Sequence, residues 1–361
     1  MKKALIVATV LKKHIVQFHI PTIKMLKDMG WQVDVAAAND YGNEKYDVSF
    51  CDHYYDVPFS RKPISHNNKT AYKQLKAIID TNKYDVVHCH TPMGGVLARL
   101  AARGARKKGT KVFYTAHGFH FYKGAPIKNW ALYYPIEKYC SKLTDVLITM
   151  AKEDYEFAKT HMQTKAIEYI PGIGIDINKF RNAKPLCEKK TGDPYRVLSV
   201  GEMVKNKNHI SVIKALSRSN RKDIEYYIAG EGELKDELMK ASEELLPGRV
   251  HFLGYRNDLP QIYKSVDLFI HPSFREGMPV ALMEAMATGV PCIASNVRGN
   301  RDLLDKSCLF NPNSVEEIKK SIVLLLQQDN SEMINKNGQV LQELSAENVL
   351  KKINDIYITN A

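Results

Sequence analysis

The chain has 361 residues, 44% hydrophobic and 25% charged, with a formal net charge of +12. That length exceeds what one hydrophobic core usually organises, so two domains of ordinary size are expected. No apolar run reaches the roughly 18 residues of a transmembrane helix, and the 6 cysteines form no C-x-x-C pair, which removes the usual sequence support for a membrane span, a metal finger or a disulfide scaffold. The charge is uneven: residues 1–180 carry 27 Lys+Arg against 16 Asp+Glu, or +11, and the remainder 25 against 24, or +1. A basic first half favours anionic partners such as phosphate or lipid headgroups, and dispersed solubilising lysines would look the same. Nucleic acid has only the net charge in its favour.

In chain order, "KALIVATV" opens a buried strand. Its apolar run, Ala4 to Leu11, ends at Lys12 and Lys13 without a small-residue cleavage site, so it does not read as a signal peptide, and a cytoplasmic location is expected. "WQVDVAAA", "YDVVHCH", "KVFYTAH" and "DVLITM" continue as strands, with helices expected after the first, third and fifth. The rhythm restarts after Pro194 with "YRVLSVG", "EYYIAGEG", "VHFLGY", "VDLFIHPS" and "PCIAS". Alternating strands and helices specify an α/β fold with parallel sheets. The boundaries expected are a first Rossmann-like domain at 1–171, a Gly/Pro-rich linker at 172–193, a second Rossmann-like domain at 194–345, and a serine-capped helix at 346–361 that packs back on the first domain.

Open parallel sheets bind ligands beyond the carboxyl ends of their strands, so residues just after each strand are the candidates. In the first half these are His14 after "VLKK", His90 in "HCHTPMGG", and His117 and His120 in "TAHGFHFYKG". In the second half they are Gly201 and Lys207 in "VGEMVKNKNH", Tyr255 and Arg256 in "LGYRND", and the stretch Glu276, Gly277, Met278, Pro279, Val280 leading to Glu284. Pro279 suits a first helical turn, where free amides attract an anion such as a diphosphate, and Gly277 allows close backbone approach. Glu284, flanked by Leu282, Met283, Ala285 and Met286, needs hydrogen bonds to be buried, and ribose or sugar hydroxyls would supply them. On spacing alone, Glu276 as a helix cap, Glu284 paired with a lysine, Lys207 as a surface cation and structural histidines fit as well. "AGEGEL" lacks the third glycine and distal acid of a dinucleotide fingerprint, which disfavours a dehydrogenase.

"EGMPVALMEAMATGVP", together with "VDLFIHPSFREG", "YIAGEGEL" and "IPGIGIDINKF", resembles the retaining glycosyltransferases of family 4. The resemblance covers nearly the whole chain. It implies the GT-B fold, two Rossmann-like domains whose parallel sheets face across a cleft, with the acceptor on the first and a nucleotide-sugar donor on the second. It implies that Glu276 approaches the donor sugar, Glu284 holds the ribose hydroxyls, Lys207 neutralises the diphosphate and His117 reaches the sugar near the reacting carbon. His14, His90 and His120 are placed on the acceptor side.

Two departures stand out from the family pattern. Glu202 occupies the position where arginine usually joins the lysine, leaving Lys205 or Arg275 to compensate, and the turn after the first strand, Lys12 to His14, lacks the usual Gly-Gly. "VRGNRDLL", with Gly299, Asn300 and Arg301, resembles the capsule and exopolysaccharide members. The implied activity is transfer of a hexose or N-acetylhexosamine from a UDP-sugar to a saccharide or undecaprenyl-diphosphate-linked acceptor, with peripheral contact to anionic membrane, no cofactor and no essential metal. A sugar-nucleotide epimerase and a non-catalytic nucleotide-binding partner subunit are the alternatives.

Overall fold

The computed structural model describes all 361 residues. The chain divides into two compact units, Met1–Ile173 with Val349–Ala361, and Gly174–Asn348. No helix is long and apolar enough to cross a membrane.

The first unit is built on seven strands, β1 (Lys3–Val10), β2 (Gln32–Ala38), β3 (His53–Asp56), β4 (Val86–His90), β5 (Lys111–Ala116), β6 (Val146–Thr149) and β7 (Ala166–Tyr169), in the order β3-β2-β1-β4-β5-β6-β7. Every neighbouring pair is parallel. Because side chains alternate along a strand, β1 feeds two cores: Leu5 and Val7 enter one layer, Ala4, Ile6 and Ala8 the other. The last helix, Ala346–Asn360, is capped by the Ser345 hydroxyl, which accepts from the Asn348 amide at 3.2 Å. It inserts Tyr357 beside the sheet, with its hydroxyl 2.8 Å from His88 Nδ1, while His88 Nε2 meets Thr115 at 2.8 Å.

The helix Pro92–Ala101 lies unusually close to the sheet, and its two glycines explain why. A Cβ on Gly94 would stand 2.8 Å from the Thr91 hydroxyl, and one on Gly95 would stand 2.4 Å from the Tyr114 ring. Arg99 of that helix is buried, stacks 3.9 Å over the Tyr114 ring and donates to Glu137 at 2.9 Å. Glu137 belongs to the helix Ile127–Ser141, so this ion pair fastens the two helices together.

The second unit contains β8 (Tyr195–Val200), β9 (Ile224–Ala229), β10 (Val250–Gly254), β11 (Leu268–His271), β12 (Cys292–Ser295) and β13 (Leu309–Phe310), all parallel, in the order β10-β9-β8-β11-β12-β13. Each sheet therefore reverses its winding at one point, between β1 and β4 in the first unit and between β8 and β11 in the second. Such switch points open a crevice at the strand ends.

The structure adds elements that the periodicity did not announce. Strands β3, β7 and β13 lie at sheet edges, and the helices His66–Asn82 and Ile127–Ser141 follow β3 and β5. The stretch 172–193, read as an irregular linker, contains the helix Ile177–Arg181, because the Asp176 carboxylate accepts from the Lys179 amide at 3.0 Å and caps it.

Removing one partner of a buried ion pair strands the other charge. Glu137→Ala is expected to cost about 3–5 kcal/mol in urea denaturation, and Arg99→Met combined with Glu137→Leu to recover most of that loss.

Candidate functional site

At the switch point of the second unit, β8 ends at Val200, just before Gly201, and β11 ends at His271, and the two loops that follow are tied together. The Phe274 amide donates to the Asn206 carbonyl at 2.8 Å, and the Asn206 side chain donates to the Arg275 carbonyl at 3.0 Å. Close backbone contacts fix both loops. A Cβ on Gly230, at the end of β9, would stand 2.1 Å from the Gly201 carbonyl oxygen, and one on Gly232 would stand 2.5 Å from that of Met203. The glycines of "AGEGEL" thus serve loop packing. On the other side, a Cβ on Gly299 would meet the Gly277 carbonyl at 2.0 Å, and Arg298 donates to the Glu276 carbonyl at 3.0 Å. Arg298 is buried, as is Asn300.

This frame brings Glu276 and Lys207 into contact. Lys207 Nζ donates to Glu276 Oε1 at 2.8 Å, and the same oxygen lies 2.9 Å from His271 Nε2. The Lys207 stem runs over Gly201, where a Cβ would stand 3.3 Å from its methylenes. Burial alone would push the Glu276 carboxyl up, but His271 and Lys207 outweigh it and hold the group well below the ordinary carboxylate range. Burial lowers the His271 pKa in turn, against the pull of Glu276. His271, at the end of "VDLFIH", was not singled out from the sequence; its strand-end position was the available signal.

The helix expected to begin at Pro279 begins one residue later, at Val280, with Pro279 as its N-cap, and runs to Thr288. Its first-turn amides have no partner within the helix. Glu284 lies on its second turn, and Tyr263, 3.1 Å from Oε2, is its hydrogen-bond partner. Burial raises the Glu284 pKa to about 6, with Tyr263 and the charge of Lys179 pulling the other way. The pair therefore splits: Glu276 is held ionised, and Glu284 is a carboxylate short of donors.

Other residues singled out in this unit lie elsewhere or do other work. Arg256 is bound through two contacts to Asp258, and Tyr255 is 79% exposed. Glu202, standing where arginine was expected, is exposed and makes no ion pair, so of the two cations expected at this strand end only Lys207 is present, paired with the Glu276 carboxylate.

At the switch point of the first unit, the turn after β1 widens into a π-helix, Leu11–Val16. Asp40 accepts from the Lys12 amide at 2.5 Å and from the Lys13 amide at 3.2 Å. The backbone donors that a Gly-Gly loop would offer an anion are here satisfied by a carboxylate of the chain itself. His14 from this turn, His19 beyond it, His90 at the end of β4 and His117 after β5 converge; His120 does not, and instead packs on Tyr133 with ring centroids 4.7 Å apart. Burial pushes the His117 pKa down to about 4 and lowers His14, His19 and His90 further, so these rings are neutral. Beside them runs a groove of about 1190 Å³ whose lining includes the apolar Met93, Leu97 and Ile136 and the cations Arg61, Lys69 and Lys73.

The family model described as Glycosyl transferases group 1 matches residues 183–340, and that described as Glycosyl transferase 4-like matches residues 3–151. EpsD of Bacillus subtilis (strain 168), named as a glycosyltransferase, is 41% identical over 314 residues, covering 84% of this chain and 81% of EpsD. The UDP-Gal:alpha-D-GlcNAc-diphosphoundecaprenol alpha-1,3-galactosyltransferase of Escherichia coli is 31% identical over 322 residues, covering 82% of each chain. Among solved structures, Anabaena HepE in complex with UDP and glucose superposes with a TM-score of 0.78 at 18% identity, covering 99% of this chain and 100% of HepE. The fold is thus GT-B. The chain belongs to the group 1, family-4-like glycosyltransferases, and it is a glycosyltransferase.

Glu284 carries a signed pH dependence. Its pKa is raised in the folded state from an ordinary 4.5 to about 6, so the folded protein holds a proton that the unfolded chain has released. Its contribution is intact below pH 4.5 and falls as pH rises through 6, by about 2 kcal/mol in total. Urea titrations from pH 4 to 7 are expected to show this fall in wild type relative to Glu284→Gln.

Proposed function

We propose that the protein transfers a hexose or N-acetylhexosamine from a UDP-sugar, with retention, to a lipid-diphosphate-linked saccharide during cell-surface polysaccharide synthesis. The observation that carries this reading is Glu276, ionised and in contact with Lys207 at a strand-end switch point. Lys207 has three N–H donors and spends one on Glu276, so two remain for the donor diphosphate. The first-turn amides after Pro279 add partial positive charge beside it. As the diphosphate leaves, positive charge grows at the anomeric carbon, and the fixed carboxylate of Glu276 stabilises it electrostatically.

In this reading the acceptor hydroxyl attacks from the face that the diphosphate leaves, and the departing phosphate oxygen takes its proton. Glu284 accepts from the ribose hydroxyls, which replace the donors that the helix does not supply. His117 contacts the sugar as a neutral imidazole. The E. coli relative is named for a diphosphoundecaprenol acceptor, which supports a lipid-diphosphate substrate here. The groove lined by apolar residues and by Arg61, Lys69 and Lys73 supplies matching chemistry, apolar contact for an isoprenoid chain and positive charge for phosphate. The same cations support peripheral contact with an anionic membrane.

The test is a panel of UDP-sugars incubated with an undecaprenyl-diphosphate-linked N-acetylhexosamine, with product configuration read by NMR. Expected is an axially linked product from an axial donor, formed without added divalent cation, and a fall in turnover of roughly 10²–10³ in Glu276→Gln. An inverted product, or an epimerised sugar nucleotide with no transfer, would contradict the proposal.

A further inference from the structure

The four converging histidines have chemistry beyond a single sugar contact. One ring nitrogen from each of His14, His19, His90 and His117 lies within 4.8 Å of every other. His117 Nε2 and His90 Nδ1 are 3.4 Å apart. Two ligands of a tetrahedral ion with bonds of about 2.0–2.1 Å are separated by about 3.3 Å. Nε2 of His14 and Nε2 of His19 are buried without a hydrogen-bond partner, and the His19 residue is only 5% exposed. A buried polar atom without a partner is costly, and its persistence calls for a ligand.

The neighbours narrow what that ligand is. His88, 4.3 Å from His90 by ring centroids, has both ring nitrogens satisfied by Tyr357 and Thr115 and forms a wall rather than a fifth ligand. A sugar hydroxyl would satisfy one or two nitrogens, whereas four of them converging within 4.8 Å suit a single ion. Neutral imidazole is the ligating form, and it suits zinc, copper and nickel rather than magnesium or calcium. Arg61 lies near His14 and adds opposing positive charge, which weakens the site's hold on a cation.

We propose that His14, His19, His90 and His117 form a binding site for a transition-metal ion, zinc being the reference case, which staples the turn after β1 to the ends of β4 and β5. The site lies in the first unit, apart from the residues assigned to the donor diphosphate, and its occupancy is measurable whether or not the proposed transfer is correct.

The experiment uses the full chain, stripped with chelator, incubated with Zn²⁺, desalted and analysed for metal by mass spectrometry, with Co²⁺ absorption reporting coordination. Expected are one Zn²⁺ per chain, the strong visible bands of four-coordinate nitrogen-ligated Co²⁺, and a rise in Tm of a few degrees at saturating Zn²⁺. Affinity should fall at least tenfold in His14→Gln and in His19→Gln, while His161→Gln, on the exposed end of another helix, retains it. His14 is the less buried of the two ligands, so its variant keeps the test valid if His19→Gln fails to fold. Substoichiometric zinc in folded wild type, or binding unchanged in His14→Gln, would overturn the proposal.

Discussion

The contact between Lys207, Glu276 and His271 is the constraint on which the second unit's chemistry rests. A carboxylate as buried as Glu276 would ordinarily take up a proton. Two donors on one oxygen, at 2.8 and 2.9 Å, keep it charged. Those distances exist because segments from four strand ends, β8, β9, β11 and β12, approach within backbone contact, which only glycine at 230, 232 and 299 permits. Packing, hydrogen bonding and charge are therefore one arrangement. Loosening the Gly299 contact displaces the loop that carries Glu276, and the carboxylate loses the partners that keep it ionised.

The two units share a winding and a switch point but fill it with opposite chemistry. In the second, Lys207 and the ionised Glu276 set fixed charges at the strand ends. In the first, the anion cradle is occupied by Asp40, and the strand ends present neutral, buried imidazoles beside an apolar groove. That contrast fits a division between a charged, water-soluble donor and an acceptor with an isoprenoid tail.

The central strands were legible because buried parallel strands are continuous apolar runs: β1, β4, β5 and β11 read directly as strands. The edge strands were not. The sequence HYYD of β3 and AIEY of β7 hold no fully buried residue, and β13 has just two residues. The helix Ile127–Ser141 was hidden by Pro135 in its interior and by apolar residues on all its faces. At the site, Glu276, Glu284 and Lys207 were found from spacing and resemblance. Their partners were not: His271 looks like the last residue of a strand and Tyr263 like any core aromatic. The histidine cluster depends on a π-helical turn that brings His14 toward His19, and no periodicity announces such a turn.

The assignment of the donor to the second unit is tested most directly by calorimetric titration of UDP into wild type and Glu284→Ala, with folding of both checked by circular dichroism. Binding by wild type, weakened at least tenfold in the variant, is expected if ribose hydroxyls pair that carboxylate. Equal affinity in the two proteins, or no binding by folded wild type, would contradict it.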